Sequence, residues 1–83
     1  MQILYFAKVR ECIGKDQESL APPPEIDTVS KLLNWLSTKD QAYEVAFKNR
    51  DSLRAAINQT FSSMDAKISQ GDEIAIFPPV TGG

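Results

Sequence analysis

Apolar and polar residues alternate at both ends of the chain, and those two stretches frame everything between them. Gln2 to Lys8 is rich in β-formers and reads as a first strand. Ile3, Tyr5 and Ala7 fall on one face and Leu4 and Phe6 on the other, so the pattern predicts a central strand with something over each side. Near the other end, Gln70-Gly71-Asp72 is a tight turn that launches a strand from Glu73 to Phe77. There Ile74 and Ile76 face one way, and Ala75 and Phe77 the other. Pro78 and Pro79 stop it, because proline lacks the N–H a ladder needs and fixes φ.

Between these strands the period changes. Val9 to Ile13 predicts a short helical turn with Gly14 as its stop. Gln17 to Ala21 is a weak second strand, paired with the first through Gly14-Lys15-Asp16. Pro22-Pro23-Pro24 ends it; without further pattern this is a connector rather than a proline-motif ligand. Val29, Leu32, Leu33 and Leu36 recur at helical spacing, predicting a main helix over 28–38 with Asp27 or Thr28 as N-cap. Trp35 sits on the shoulder of that stripe. A shorter helix is expected over 40–48, with Ala42, Val45 and Ala46 or Phe47 inward. Leu53 to Asn58 predicts a further strand; Asn58-Gln59-Thr60 breaks it, and a polar loop follows Phe61 as far as Ile68.

The order is strand, strand, helix, strand, strand, with the first and last strands the most apolar. A helix with one apolar stripe covers one sheet face. This predicts an α+β fold of the β-grasp, or ubiquitin-like, kind: a mixed sheet packed on one main helix, its first and last strands parallel at the centre. The opposite face should carry Leu4, Phe6 and Phe77, with Phe61 nearby. An uncovered apolar patch marks a partner surface. The alternative is that Phe6 and Phe77 only shield each other as a cross-strand pair.

Eighty-three residues allow one domain, read as a folded part over 1–77 and a tail over 78–83. A net charge of −2 argues against nucleic acid as the main partner. No stretch suits a signal peptide or a bilayer span, so neither a membrane role nor export is expected. Cys12 is the single cysteine, which excludes an internal disulfide and fits a reducing cytoplasm. It has no activating neighbour in sequence and is read as structural or incidental. The chain has no histidine, and so lacks the commonest general base and metal ligand together. A self-contained catalytic site, a metal centre and a bound cofactor are therefore not expected.

What remains is the tail, Pro78-Pro79-Val80-Thr81-Gly82-Gly83. Stretched out, it would reach roughly 20 Å. Its distinctive group is the terminal carboxylate, which is ionised at neutral pH and a poor electrophile until another protein activates it. Glycines without Cβ would pass a narrow channel that side chains would block. The bland alternative is a frayed chain end.

Three stretches carry a family resemblance: Tyr5-Phe6-Ala7-Lys8-Val9-Arg10-Glu11, then Ala56-Ile57-Asn58-Gln59, and finally 71–83, closing on Phe77-Pro78-Pro79-Val80-Thr81-Gly82-Gly83. The chain resembles the small sulfur-carrier subunit of molybdopterin synthase over its whole length. That resemblance implies that an adenylating, E1-like activating enzyme uses ATP to convert the Gly83 carboxylate into an acyl adenylate. Sulfur then replaces the adenylate, leaving a thiocarboxylate. The tail enters the large synthase subunit and donates sulfur to a cyclic pyranopterin precursor, building the molybdopterin dithiolene. By the same resemblance Gly83 carries the sulfur and Gly82 permits threading. Phe6, Phe61 and Phe77 form a docking surface, Arg10 adds a polar rim contact, and Pro78, Pro79, Val80 and Thr81 lead the tail into its partner. The alternatives are a carrier for thiamin synthesis or tRNA thiolation, a ubiquitin-like modifier joined to lysines, and an interaction domain with an idle tail.

Overall fold

The two apolar end strands lie side by side in the computed structural model, which describes residues 1–79. β1 (Gln2–Tyr5) runs parallel to β5 (Glu73–Phe77), with Ile3 level with Ile74 and Tyr5 with Ile76. β2 (Gln17–Ser19) pairs antiparallel with the outer edge of β1. On the other side β3 (Arg54–Ile57) pairs antiparallel with β5, and β4 (Thr60–Ser62) with β3. The sheet order is β2-β1-β5-β3-β4, the expected β-grasp topology.

Three α-helices accompany the sheet among the described residues, one for each helical stretch expected from the sequence. α1 (Ala7–Ile13) ends on Gly14, whose φ of 86° is the left-handed C-cap that glycine adopts at no steric cost. α2 (Val29–Ser37) begins where Thr28 accepts a hydrogen bond from the Lys31 N–H at 3.2 Å. Its Val29, Leu32, Leu33 and Leu36 are fully buried against Ile3, Tyr5, Ile74 and Ile76 of the sheet. α3 (Gln41–Ala46) starts at Asp40, whose carboxylate accepts from the Ala42 N–H at 2.9 Å. That start sets the phase: Tyr43 and Phe47, four residues apart, point inward, whereas Val45, expected inside, is 56% exposed.

Two strand expectations are corrected. β1 stops at Tyr5 instead of continuing to Lys8, because its neighbour β5 itself ends one residue past Ile76, at the prolines. Phe6 N–H makes the last contact, to the Ile76 carbonyl at 3.2 Å, and the chain turns through Ala7 at φ 53° into α1. Phe6 is thus the N-cap residue of α1 and not a member of the sheet face. The polar loop expected after Phe61 is replaced at its start by β4, with Phe61 at the centre of the strand. Asn58 and Gln59, at φ 50° and 70°, form the two-residue hairpin turn whose twist matches the flanking strands. Asn58 is fastened from outside: its side chain donates to Asp72 at 3.0 Å and accepts from the Glu73 N–H at 2.9 Å.

One carboxylate ties the edge strand to the rest. Glu18 of β2 is level with Ile3 and faces the covered side, where it accepts from the Tyr5 hydroxyl at 2.7 Å and the Tyr43 hydroxyl at 2.6 Å. Lys15 lies 3.3 Å from its other oxygen. Burial opposes ionisation of Glu18, but the tyrosine hydroxyls and Lys15 outweigh it and hold its carboxyl below the usual range. A lowered folded-state value means the stabilisation is complete above the ordinary carboxylate range and is lost as pH falls through it. Glu18→Ala is therefore expected to cost about 2 kcal/mol at neutral pH, the worth of a charge-assisted hydrogen bond. The deficit should shrink toward acid in denaturant titrations of the two proteins; a constant gap down to low pH would contradict this.

Candidate functional site

The face of the sheet turned away from α2 is paved by one row across four strands. Leu4 of β1 is level with Ala75 of β5, Ala75 with Ala56 of β3, and Ala56 with Phe61 of β4. The two alanines keep the middle of this row low. Phe61, 81% exposed on the edge strand, has its ring 5.7 Å from that of Phe77, at 47° between planes. This tilted geometry is the favourable one for an aromatic pair. Ala56, on this open face, is only 7% exposed. The cross-strand aromatic pair is accordingly Phe61–Phe77 rather than Phe6–Phe77.

Beside the rings lies a depression of about 420 Å³, bounded by Arg54, Phe61, Ser62, Phe77 and Pro79. A second groove runs between α1 and α3, walled by Val9, Cys12, Val45 and Leu53, with Pro78 and Pro79 closing one side. The two meet at Pro79. The exit of β5 is therefore flanked by apolar hollows on both sides, one on the sheet and one between helices. The exposed side chain of Val45 belongs to the second.

Of the residues singled out in the sequence, Phe61, Phe77, Pro78 and Pro79 come together here. Phe6 is 44% exposed at the start of α1, and Arg10 is exposed on the same helix; neither bounds these two hollows. Val80, Thr81, Gly82 and Gly83 lie outside the described residues. Cys12 is exposed rather than packed, its Sγ 3.8 Å from the Ala42 carbonyl oxygen. Sequence reasoning did not single out Arg54, and it placed Val45 in the core rather than in this groove. Arg54 is level with Phe77, a strand register that only the β5–β3 pairing reveals.

Among the described residues, no cluster of acidic and cysteine side chains is arranged to hold a metal ion, and no helix is long and apolar enough to cross a membrane. What the site offers chemically is a surface and a point of departure for backbone.

The comparisons with known proteins agree with that geometry. The ThiS family matches residues 3–83. The molybdopterin synthase sulfur carrier subunit of Escherichia coli (strain K12) is 39% identical over 83 residues, spanning 100% of this chain and 99% of the relative. That of Dictyostelium discoideum is 39% identical, spanning 99% and 94%. Among solved structures, the small archaeal modifier protein 1 from Methanosarcina acetivorans superposes with a TM-score of 0.72 at 25% identity, covering 99% of this chain and 94% of its own. A chain from the protein–protein complex of subunits 1 and 2 of the molybdopterin-converting factor from Helicobacter pylori 26695 shares the fold, with a TM-score of 0.61 at 17% identity over 99% and 96%. By its match from one end to the other and by its β-grasp topology, this chain belongs to the ThiS family and is similar along its length to the molybdopterin synthase sulfur carrier subunits.

Proposed function

We propose that this chain is the sulfur carrier of a molybdopterin synthase, and that its reactive group is the Gly83 carboxylate. The observation that carries the reading is the full-length identity to sulfur carrier subunits, with the family match running through Gly82 and Gly83. The chemistry follows from what a carboxylate lacks. A partner of the E1-like kind joins it to the adenylyl group of ATP, with loss of pyrophosphate, and so makes it a good acyl donor. A sulfur nucleophile then displaces AMP, giving a thiocarboxylate, a far better nucleophile than the carboxylate it replaces. Two such transfers to a cyclic pyranopterin precursor supply the two sulfurs of a dithiolene.

The domain's own part is to be gripped and to present the tail. Phe61 and Phe77 give the large synthase subunit an apolar landing beside the strand exit, and Pro78 and Pro79 start the tail there. The Helicobacter pylori neighbour comes from a complex of two such subunits, which supports a large-subunit partner. Phe6 and Arg10, one helix away, are assigned to the rim of that contact. No acid or base is required of the carrier, in keeping with a sequence free of histidine. ATP belongs to the activating partner, and the carrier holds no resident cofactor. The modifier reading is favoured by the likeness to small archaeal modifier protein 1. It predicts adducts on lysines of other proteins that disappear when Gly83 is deleted.

Deleting Gly83 is expected to abolish sulfur transfer in a reconstituted synthase assay while leaving the thermal unfolding midpoint unchanged, because among the described residues the last buried core side chain is Ile76. Intact-mass measurement of the carrier from cells should find one oxygen exchanged for sulfur in the full chain and none in the truncated one. Normal product formation by the truncated chain would overturn the assignment. Phe77→Ala should weaken the complex with the large subunit by about 2 kcal/mol, as for a buried aromatic anchor. Calorimetry giving an unchanged dissociation constant would remove Phe77 from the interface.

A further inference from the structure

The chain is acidic overall, with eleven carboxylate side chains against nine cations. Yet the two hollows that meet at Pro79 have only cations in their walls. Arg54 bounds the one beside Phe61 and Phe77, Lys8 bounds the one between α1 and α3, and no Asp or Glu lines either. Three of the other cations are used within the protein: Lys15 pairs with Glu18, and Lys31 and Lys67 pair with Asp27. Arg54 and Lys8 have no carboxylate within ion-pairing distance among the described residues. Arg54 is held in place by backbone only, its Nη1 donating to the carbonyls of Asp51 at 3.1 Å and Leu53 at 2.7 Å. Its Nε and Nη2 have no hydrogen-bond acceptor among the described residues.

We infer that Arg54 is a specificity residue for the tail-receiving protein. That protein's contact surface would place an apolar side chain against Phe61 and Phe77 with a carboxylate beside it for Arg54, and a second acidic group across Pro79 for Lys8. The inference deepens the proposed function and rests on it for the identity of the partner. A guanidinium with free donors beside two phenyl rings suits a carboxylate flanked by apolar groups, which it binds in a planar, two-bond geometry. A phosphate ligand would call for more donors than the sheet hollow supplies, since the Ser62 hydroxyl there is already donated to the Thr60 carbonyl at 2.9 Å. Around an otherwise negative carrier, such a local pairing would fix how the domain is rotated on its partner. Rings alone would fix only where it sits.

The test is binding of the full-length carrier and its variants to the purified large synthase subunit from the same organism, by calorimetry at low and high salt. Arg54→Gln should raise the dissociation constant roughly tenfold, as for loss of one interfacial ion pair, and Arg54→Glu roughly a hundredfold. Lys8→Glu should give a smaller loss of the same sign. Between about 0.05 and about 0.5 M salt the wild-type complex should weaken more steeply than that of Arg54→Gln. Thermal unfolding of each variant checks that the domain is intact; Arg54 is exposed, so no change is expected. Wild-type affinity in Arg54→Glu would overturn the inference and leave the sulfur-carrier reading standing. Absence of binding by the wild-type chain itself would overturn both. Displacement of the wild-type complex by inorganic phosphate at matched ionic strength, with the Arg54→Gln complex unaffected, would assign the cation to a phosphate ligand and so also overturn it.

Discussion

Everything in this fold hangs on the parallel contact between β1 and β5. Parallel neighbours need a long crossover, and here nearly the whole intervening chain serves as one, carrying β2, all three helices, β3 and β4. The contact is held by buried side chains rather than by a turn. Ile3 and Tyr5 from one strand and Ile74 and Ile76 from the other are all in the core, under the stripe of α2. Because the strands run the same way, the end of β5 emerges at the same rim of the sheet as the start of α1. That single direction places Pro78 and Pro79 between the helices and the open face.

The two faces of the sheet divide the labour. On the covered side, large residues interlock with α2, and the carboxylate of Glu18 closes the edge by taking two tyrosine hydroxyls. On the open side the residues are small at the centre and aromatic at one margin. Ala56 and Ala75 leave room for the Phe61 ring to reach across β3 to Phe77. A bulky side chain at Ala56 would hold the rings apart. The exposed area of Phe61 is an energetic debit for the isolated domain, and covering it in a complex returns free energy at about 25 cal/mol per Å². A rigid sheet behind the rings keeps that gain from being spent on ordering a loop.

Sequence periodicity made the main helix and the end strands legible because their patterns are long or repeated. Val29, Leu32, Leu33 and Leu36 admit one helical phase, and all four are buried. α3 is six residues long, too short for its apolar residues to fix the phase, so Val45 was read as inward and Tyr43 was not. Only the cap at Asp40 distinguishes them. Phe6 continued the alternation of β1 without a break; what ended the strand was the length of its spatial neighbour, which local pattern does not encode. β4 was hidden because Phe61 is a lone apolar residue between Thr60 and Ser62, although Asn58-Gln59 was the signal of a two-residue turn. Arg54 had no signal at all, since its importance comes from being level with Phe77. The surface was thus partly legible, through Phe61, Phe77 and the two prolines, while its charge was not.

The prolines explain why a strand at the middle of a sheet stops at Phe77. β5 is paired on both sides, and its final pairing sets Phe77 opposite Arg54 on β3. The next two residues have no N–H to donate, so neither β1 nor β3 gains a ladder partner by extending alongside them. β1 has in any case already turned into α1 after Phe6. Zippering of the chain beyond Phe77 into its own sheet is thereby opposed from both sides, by chemistry on β5 and by geometry on β1. Apolar hollows flank Pro79 on both sides, so a partner that covered Phe61 and Phe77 would meet the backbone after β5 at the same place. In the proposed role, binding the domain and receiving its end would in this way be one event, arranged by where a parallel strand stops.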